Sequence, residues 1–95
     1  MKVHMRDAAS TLEQLLAADH LTAGMSIRAR GDHLILGRTA DDGDNDRVRL
    51  THLHRSTWGL SVKRHTGRWE RTPFAGTIDE LVGVMRTFMQ HLVAS

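Results

Sequence analysis

The sequence has no cysteine and no tyrosine, a single proline, and only two tryptophans and two phenylalanines. Without cysteine there can be no disulfide, no thiolate zinc site and no thiol nucleophile. With one proline and no biased stretch, there is no linker, internal repeat or low-complexity segment. No apolar run approaches the roughly 20 residues that a membrane-spanning helix needs. Asp7 and Glu13 fall where a signal peptide would need an apolar core, so a cytoplasmic location is expected. Aromatic poverty also bears on function, because proteins that hold single strands stack bases on exposed rings.

What is present is an ordinary globular composition, with 40% hydrophobic and 25% charged residues. Ninety-five residues suffice for one small core, so residues 1–95 are expected to form one domain. The formal net charge is only +2, but its distribution is uneven. Residues 1–46 hold five Lys/Arg against eight Asp/Glu, a balance of −3. Residues 47–71 hold seven against one, a balance of +6, and residues 72–95 return to −1. The cations are concentrated in the middle of the chain.

That middle stretch, RVRLTHLHRSTWGLSVKRHTGRWER, has apolar residues at alternate positions: Val48 and Leu50, then Trp58, Leu60 and Val62, with Trp69 on a third run. Period two means one buried face and one wet face, which reads as three antiparallel strands. The wet face would carry Arg47, Arg49, Thr51, Arg55, Ser61 and Lys63. Upstream, Met25–Arg38 reads as a hairpin about Gly31-Asp32, with Ile27, Ala29, Leu34 and Leu36 inward. Arg28, Arg30, His33 and Ile35 then face outward. The turn accounts fully for the Arg30-Gly31-Asp32 triplet.

Helices are expected at both ends. Ser10-Thr11-Leu12-Glu13 fits a capping box that opens a short helix with Leu12, Leu15 and Leu16 on one stripe, ending near Gly24. Thr77-Ile78-Asp79-Glu80 fits a second box, followed by Ile78, Leu81, Val82, Met85, Phe88, Met89, Leu92 and Val93 at three- and four-residue spacing. The expected fold is therefore α+β and two-layered. A five-stranded antiparallel meander would carry a short N-terminal and a long C-terminal helix on one face, in the order α-β-β-β-β-β-α. The wide apolar stripe of the last helix would also suit a homodimer through Met85, Phe88, Met89 and Leu92.

Three turns carry further expectations. Residues 39–46 form an acidic loop in which Asp42, Asp44 and Asp46 copy calcium-loop positions. Arg47 stands where the glycine should follow and Leu53 where the closing glutamate should stand, so a solvated turn is expected. A three-residue loop Arg55-Ser56-Thr57 would pair His54 with Trp58, His52 with Leu60 and Leu50 with Val62. At His65-Thr66-Gly67-Arg68 two geometries compete. A two-residue turn puts Trp69 in the core, and a type I turn with a bulge at Gly67 puts it on the wet face. Pro73 is expected to end the sheet.

Chemistry has three candidate homes. The cationic face, with Arg28, Arg30, Arg47, Arg49, Arg55, Lys63 and Arg68, could track a phosphate backbone. His52 and His54 form an H-x-H pair able to share a metal ion, or to rim a ligand pocket between sheet and helix with Trp58 and Trp69. Ser10, Ser26, Ser56, Ser61 and Ser95 lie in no nucleophile motif and no glycine-rich phosphate loop precedes a helix, so an enzyme is not expected. A meander followed by a helix resembles the layout of some single-strand-binding coactivator domains, although no motif carries the likeness. The reading is a homodimeric, non-enzymatic binding module without a cofactor. It would present a basic sheet face to an anionic macromolecule, either nucleic acid or an acidic protein. The alternative is a small-ligand or metal-binding domain at His52 and His54.

Overall fold

The computed structural model describes residues 4–38 and 46–90. The elements run α1 (Met5–Ala17), β1 (Met25–Arg30), β2 (His33–Arg38), β3 (Asp46–His54), β4 (Thr57–Lys63), β5 (Trp69–Gly76) and α2 (Ile78–Phe88). The five strands form one antiparallel sheet in sequence order. Both helices lie against one of its faces, giving the expected two-layer α+β domain. Residues 39–45 of the expected acidic loop and the expected end of the last helix, in residues 91–95, lie outside the described residues, while Asp46, the loop's last residue, begins β3.

The alternation of the central strands is realised as two apolar rows that cross the sheet. Ile27, Leu36, Val48 and Val62 face one another in one row, and Ala29, Leu34, Leu50 and Leu60 in the next. Leu34, Leu36, Val48, Leu50 and Leu60 are essentially inaccessible, as are Leu12 of α1 and Leu81, Val82 and Met85 of α2. Burial of each such side chain stabilises by about 1.5–3 kcal/mol, which is the main force holding the two layers together. A mutual capping box starts α2: the Glu80 amide donates to Thr77 Oγ1 (3.1 Å) and the Thr77 amide donates to Glu80 Oε1 (3.0 Å). Glu80 is exposed, and these bonds, the backbone one foremost, hold its pKa below the ordinary glutamate value.

Four expectations need correction. Helix α1 begins at Met5 with His4 as an N-cap that makes no side-chain bond, and Ser10 lies inside it. The apolar stripe continues back through Ala8 to Met5, and alanine, a weak hydrophobe, is the best helix former. The helix also stops earlier, at Ala17. Buried Thr22 folds back there and donates from Oγ1 to the Leu16 carbonyl at 2.7 Å. Arg86 of α2 donates to the Leu15 carbonyl and sits 3.5 Å from Asp19 Oδ2. Two carbonyls left open at the end of α1 are thus satisfied, that of Leu16 by Thr22 and that of Leu15 from α2.

The β3–β4 register is two residues away from the one expected: Leu50 faces Leu60 and His52 faces Trp58. The turn is tighter, with Arg55 at φ 53°, and the pairing shifts between His52 and His54. A bulge at Leu53 takes up the odd residue, so both apolar sets still face the helices. Pro73 does not end the sheet, because β5 runs on to Gly76. As an edge strand it tolerates proline beside a wide irregularity opposite Leu60. Thr72 Oγ1 bridges that irregularity, donating to the Leu60 carbonyl at 2.8 Å and accepting from the Phe74 amide at 3.2 Å. Helix α2 is regular to Phe88, where Met89 interrupts it (φ −126°, ψ 27°) before Gln90, the last described residue, which is again helical.

Candidate anion-binding face

The uncovered face of the sheet is built from the residues that alternate with the core rows. Arg28, Ile35, Arg49, Ser61 and Arg71 form one row across all five strands. Arg30, His33, Thr51, Gly59 and Ala75 form the next, and Lys63 with Trp69 begins a third. Of the cations expected here, Arg28, Arg30, Arg49 and Lys63 take their places in the sheet, and Arg47 joins them by alternation with buried Val48. Arg55 instead sits at the tip of the β3–β4 turn and Arg68 in the β4–β5 turn, both exposed and away from the rows.

The turn before β5 decides the most informative side chain. The Gly67 amide donates to the Arg64 carbonyl and the Arg64 amide donates to the Arg68 carbonyl, each at 2.8 Å. Gly67 lies at φ 88°, a conformation that only glycine adopts without strain. This is the bulged alternative, and it sets Trp69 opposite Lys63 on the uncovered face. The Arg49 guanidinium stands 4.8 Å from the Trp69 ring centre and the Lys63 ammonium 5.8 Å. Each such contact on an exposed surface contributes about 0.5–1 kcal/mol. The same rotation brings Arg71 onto the face. Sequence reasoning left Arg71 out because its place depends on the conformation of one glycine four residues earlier.

Part of the charge is neutralised internally. Arg28 pairs with Asp46 at 2.9 Å, and Arg64 with Glu70. Arg30, Arg47, Arg49 and Arg71 have no carboxylate partner among the described residues. The Nε atoms of Arg47 and Arg49 are buried without a hydrogen-bond acceptor. A buried donor left without a partner costs about 1–3 kcal/mol. Beside Trp69 the face sinks into a groove of about 440 Å³ that includes His33, Arg49, Thr51, Gly59, Ser61 and Arg71. His33 Nδ1 and Thr51 Oγ1 are 2.9 Å apart at its rim.

The other candidates lie elsewhere. His52 and His54 are separated by the Leu53 bulge and face Trp58 and Thr57 respectively, which are consecutive residues of β4. His52 is engaged, with Nε2 2.7 Å from the Arg55 carbonyl and its ring edge-on to Trp58 at 5.1 Å. Among the described residues no three of His, Asp and Glu gather as a metal would require. Trp58 is buried in the core while Trp69 lies on the opposite face, so the two rings do not share a pocket. Met85 and Met89 pack into the core of their own chain. Phe88 is exposed and stacks on Phe74 at 5.8 Å, and Leu92 is outside the described residues. Among the described residues, no helix is long and apolar enough to cross a membrane. Comparison with models of protein families, with curated proteins and with solved structures finds no match for this chain.

Proposed function

We propose that the chain is a non-enzymatic binding module whose uncovered sheet face takes a single-stranded nucleic acid. The observation that supports this most is the position of Trp69: an aromatic ring among cations on the wet face of a basic sheet. A base stacked on such a ring contributes about 1–3 kcal/mol without regard to its identity. Arginines that lack carboxylate partners are positioned for phosphates, which they grip with two parallel N–H donors. An acidic protein would use the cations but gives no reason for the ring. The internal pairing of Arg28 with Asp46 moves the centre of the proposed surface toward β3, β4 and β5.

The test is fluorescence anisotropy with labelled single- and double-stranded oligonucleotides at low and at physiological salt. The reading expects preference for the single strand and a steep loss of affinity as salt rises. Absence of binding at low salt would retire it. Self-association belongs to the proposal through the exposed Phe88 end of α2. Sedimentation of the wild-type chain and of Phe88→Glu checks it: a dimer that the substitution dissociates is expected, and a monomer at micromolar concentration removes it.

A further inference from the structure

A single strand laid over Trp69 does not account for the groove beside it. Arg49 and Arg71 both stand opposite Ser61, one on each side of β4. At about 4.8 Å between strands their Cα atoms are about 10 Å apart, and Ser61 between them is short but buried, with the Arg49 guanidinium 4.8 Å from the Trp69 ring. Both arginines line the groove, so an anion held between their guanidiniums would draw Arg49 away from the Trp69 ring. His33 adds a third nitrogen-bearing side chain, and no carboxylate lines the groove. An internal phosphodiester brings one negative charge, less than this arrangement matches. A phosphomonoester brings about −1.5 to −2 at neutral pH and three acceptor oxygens.

The remainder of the groove suits an organic body. Its floor at Gly59 has no side chain, and its walls include Leu53 and Pro73. Leu53 lies over Gly59: a Cβ placed there would stand 3.2 Å from Leu53 Cδ1, so a larger residue would push Leu53 into the groove. The volume of about 440 Å³ falls within the roughly 300–1,000 Å³ of small-ligand sites. We infer that the groove binds a phosphomonoester of nucleotide size, its phosphate between Arg49 and Arg71 and its sugar and base against Leu53 and Pro73. The inference rests on reading this face as an anion surface, and not on strand binding itself. Two sources share the chemistry: a free nucleoside monophosphate and the phosphorylated end of a strand.

Isothermal titration of the full chain at fixed ionic strength distinguishes them. The probes are adenosine monophosphate, adenosine, and an oligothymidylate with either a 5′-phosphate or a 5′-hydroxyl. The monophosphate is expected to bind at least about tenfold more tightly than adenosine, the least that charged hydrogen bonds supply. Arg71→Gln, at an exposed position, should cut that binding by about tenfold, with a much smaller effect on the 5′-hydroxyl oligonucleotide. Gly59→Leu should abolish it with every charge retained. A phosphorylated strand preferred over the hydroxyl strand assigns the site to strand ends. Equal strands with the monophosphate still bound assign it to free nucleotide. If adenosine monophosphate binds no better than adenosine and the two strands bind alike, the inference is overturned. Binding of the 5′-hydroxyl strand in the same series reports separately on the proposed function.

Discussion

The guanidinium of Arg49 lies 4.8 Å from the centre of the Trp69 ring, although the two residues belong to strands separated by β4. The contact forms over Ser61, which faces Arg49 in the adjoining strand and is too short to obstruct it. A cation and a ring are thereby joined across three strands on the face that neither described helix covers.

Replacement of the ring tests its use. Trp69→Ala should lower single-strand affinity about tenfold or more, following the usual stacking contribution, with little change in thermal stability. In a Trp58→Phe background, emission comes from Trp69 alone and should be quenched as strand is added. Unchanged affinity in Trp69→Ala would leave the ring without a role in binding.

Charge on the face makes a different prediction. Arg47→Gln should weaken binding to all sequences alike and reduce the slope of log affinity against log salt by about one. Arg28→Gln, which removes a cation already paired with Asp46, should change the slope less. The comparison requires affinities at four or five salt concentrations for each variant.

The turn at Gly67 couples stability to the site. Gly67→Ala forces a Cβ into the φ 88° conformation and should destabilise the fold by about 1–2 kcal/mol. Gly67→Asn, whose side chain tolerates that region, should cost less. Chemical denaturation measures both. The two variants should lose strand affinity in the same order, because the turn sets the face that Trp69 occupies.

Helix α2 depends on its first turn. Thr77→Ala should cost about 1 kcal/mol through loss of the cap. Glu80 has its pKa lowered by the Thr77 bonds, so it binds fewer protons in the folded chain than in the unfolded one. Its contribution is present above the unfolded glutamate pKa and is lost as pH falls through the folded value. Denaturation midpoints should therefore fall with pH in the acid range, and Glu80→Gln should fall less over the same interval.

Arg86 reaches from α2 to the end of α1, donating to the Leu15 carbonyl beside Thr22 and Asp19. Arg86→Ala removes the donor from the partly buried Leu15 carbonyl and the cation beside Asp19, a loss of about 1–2 kcal/mol. Arg86→Lys should recover only part of it, because an ammonium cannot reproduce the spread of the guanidinium donors. Thermal unfolding of the three proteins decides this.

What could be read from the sequence followed from periodicity. The alternation Val48, Leu50, Leu60, Val62 and the helical spacing from Ile78 to Met85 reflect burial on one face, and burial is a strong and repeated signal. The hairpin at Gly31-Asp32 was legible for a related reason: Gly31 takes positive φ, and both flanking strands keep their apolar residues inward. The β3–β4 register was not legible, because a shift of two residues keeps every side chain on its own face. Only the bulge at Leu53 distinguishes the two pairings, and no residue type announces it. The beginning of α1 was obscured by Ala8, which packs in the core with little hydrophobicity of its own. The candidate site was half legible. Its cations on β1, β3 and β4 followed from alternation, whereas Trp69 and Arg71 depended on two turn geometries of similar energy at Gly67.

Thr72 and Pro73 have a consequence beyond their own strand. Pro73 has no amide hydrogen, and the amide of Phe74 is taken by the Thr72 hydroxyl. Pro73 gives β5 one residue with no donor at all, the Thr72–Phe74 bond is turned toward Leu60 of β4, and the irregularity there breaks the regular ladder that strand addition extends. Growth of the sheet on that side is disfavoured. Chain-to-chain stacking of the kind that seeds fibrils is discouraged there, as is extension of the sheet past its fifth strand by a peptide.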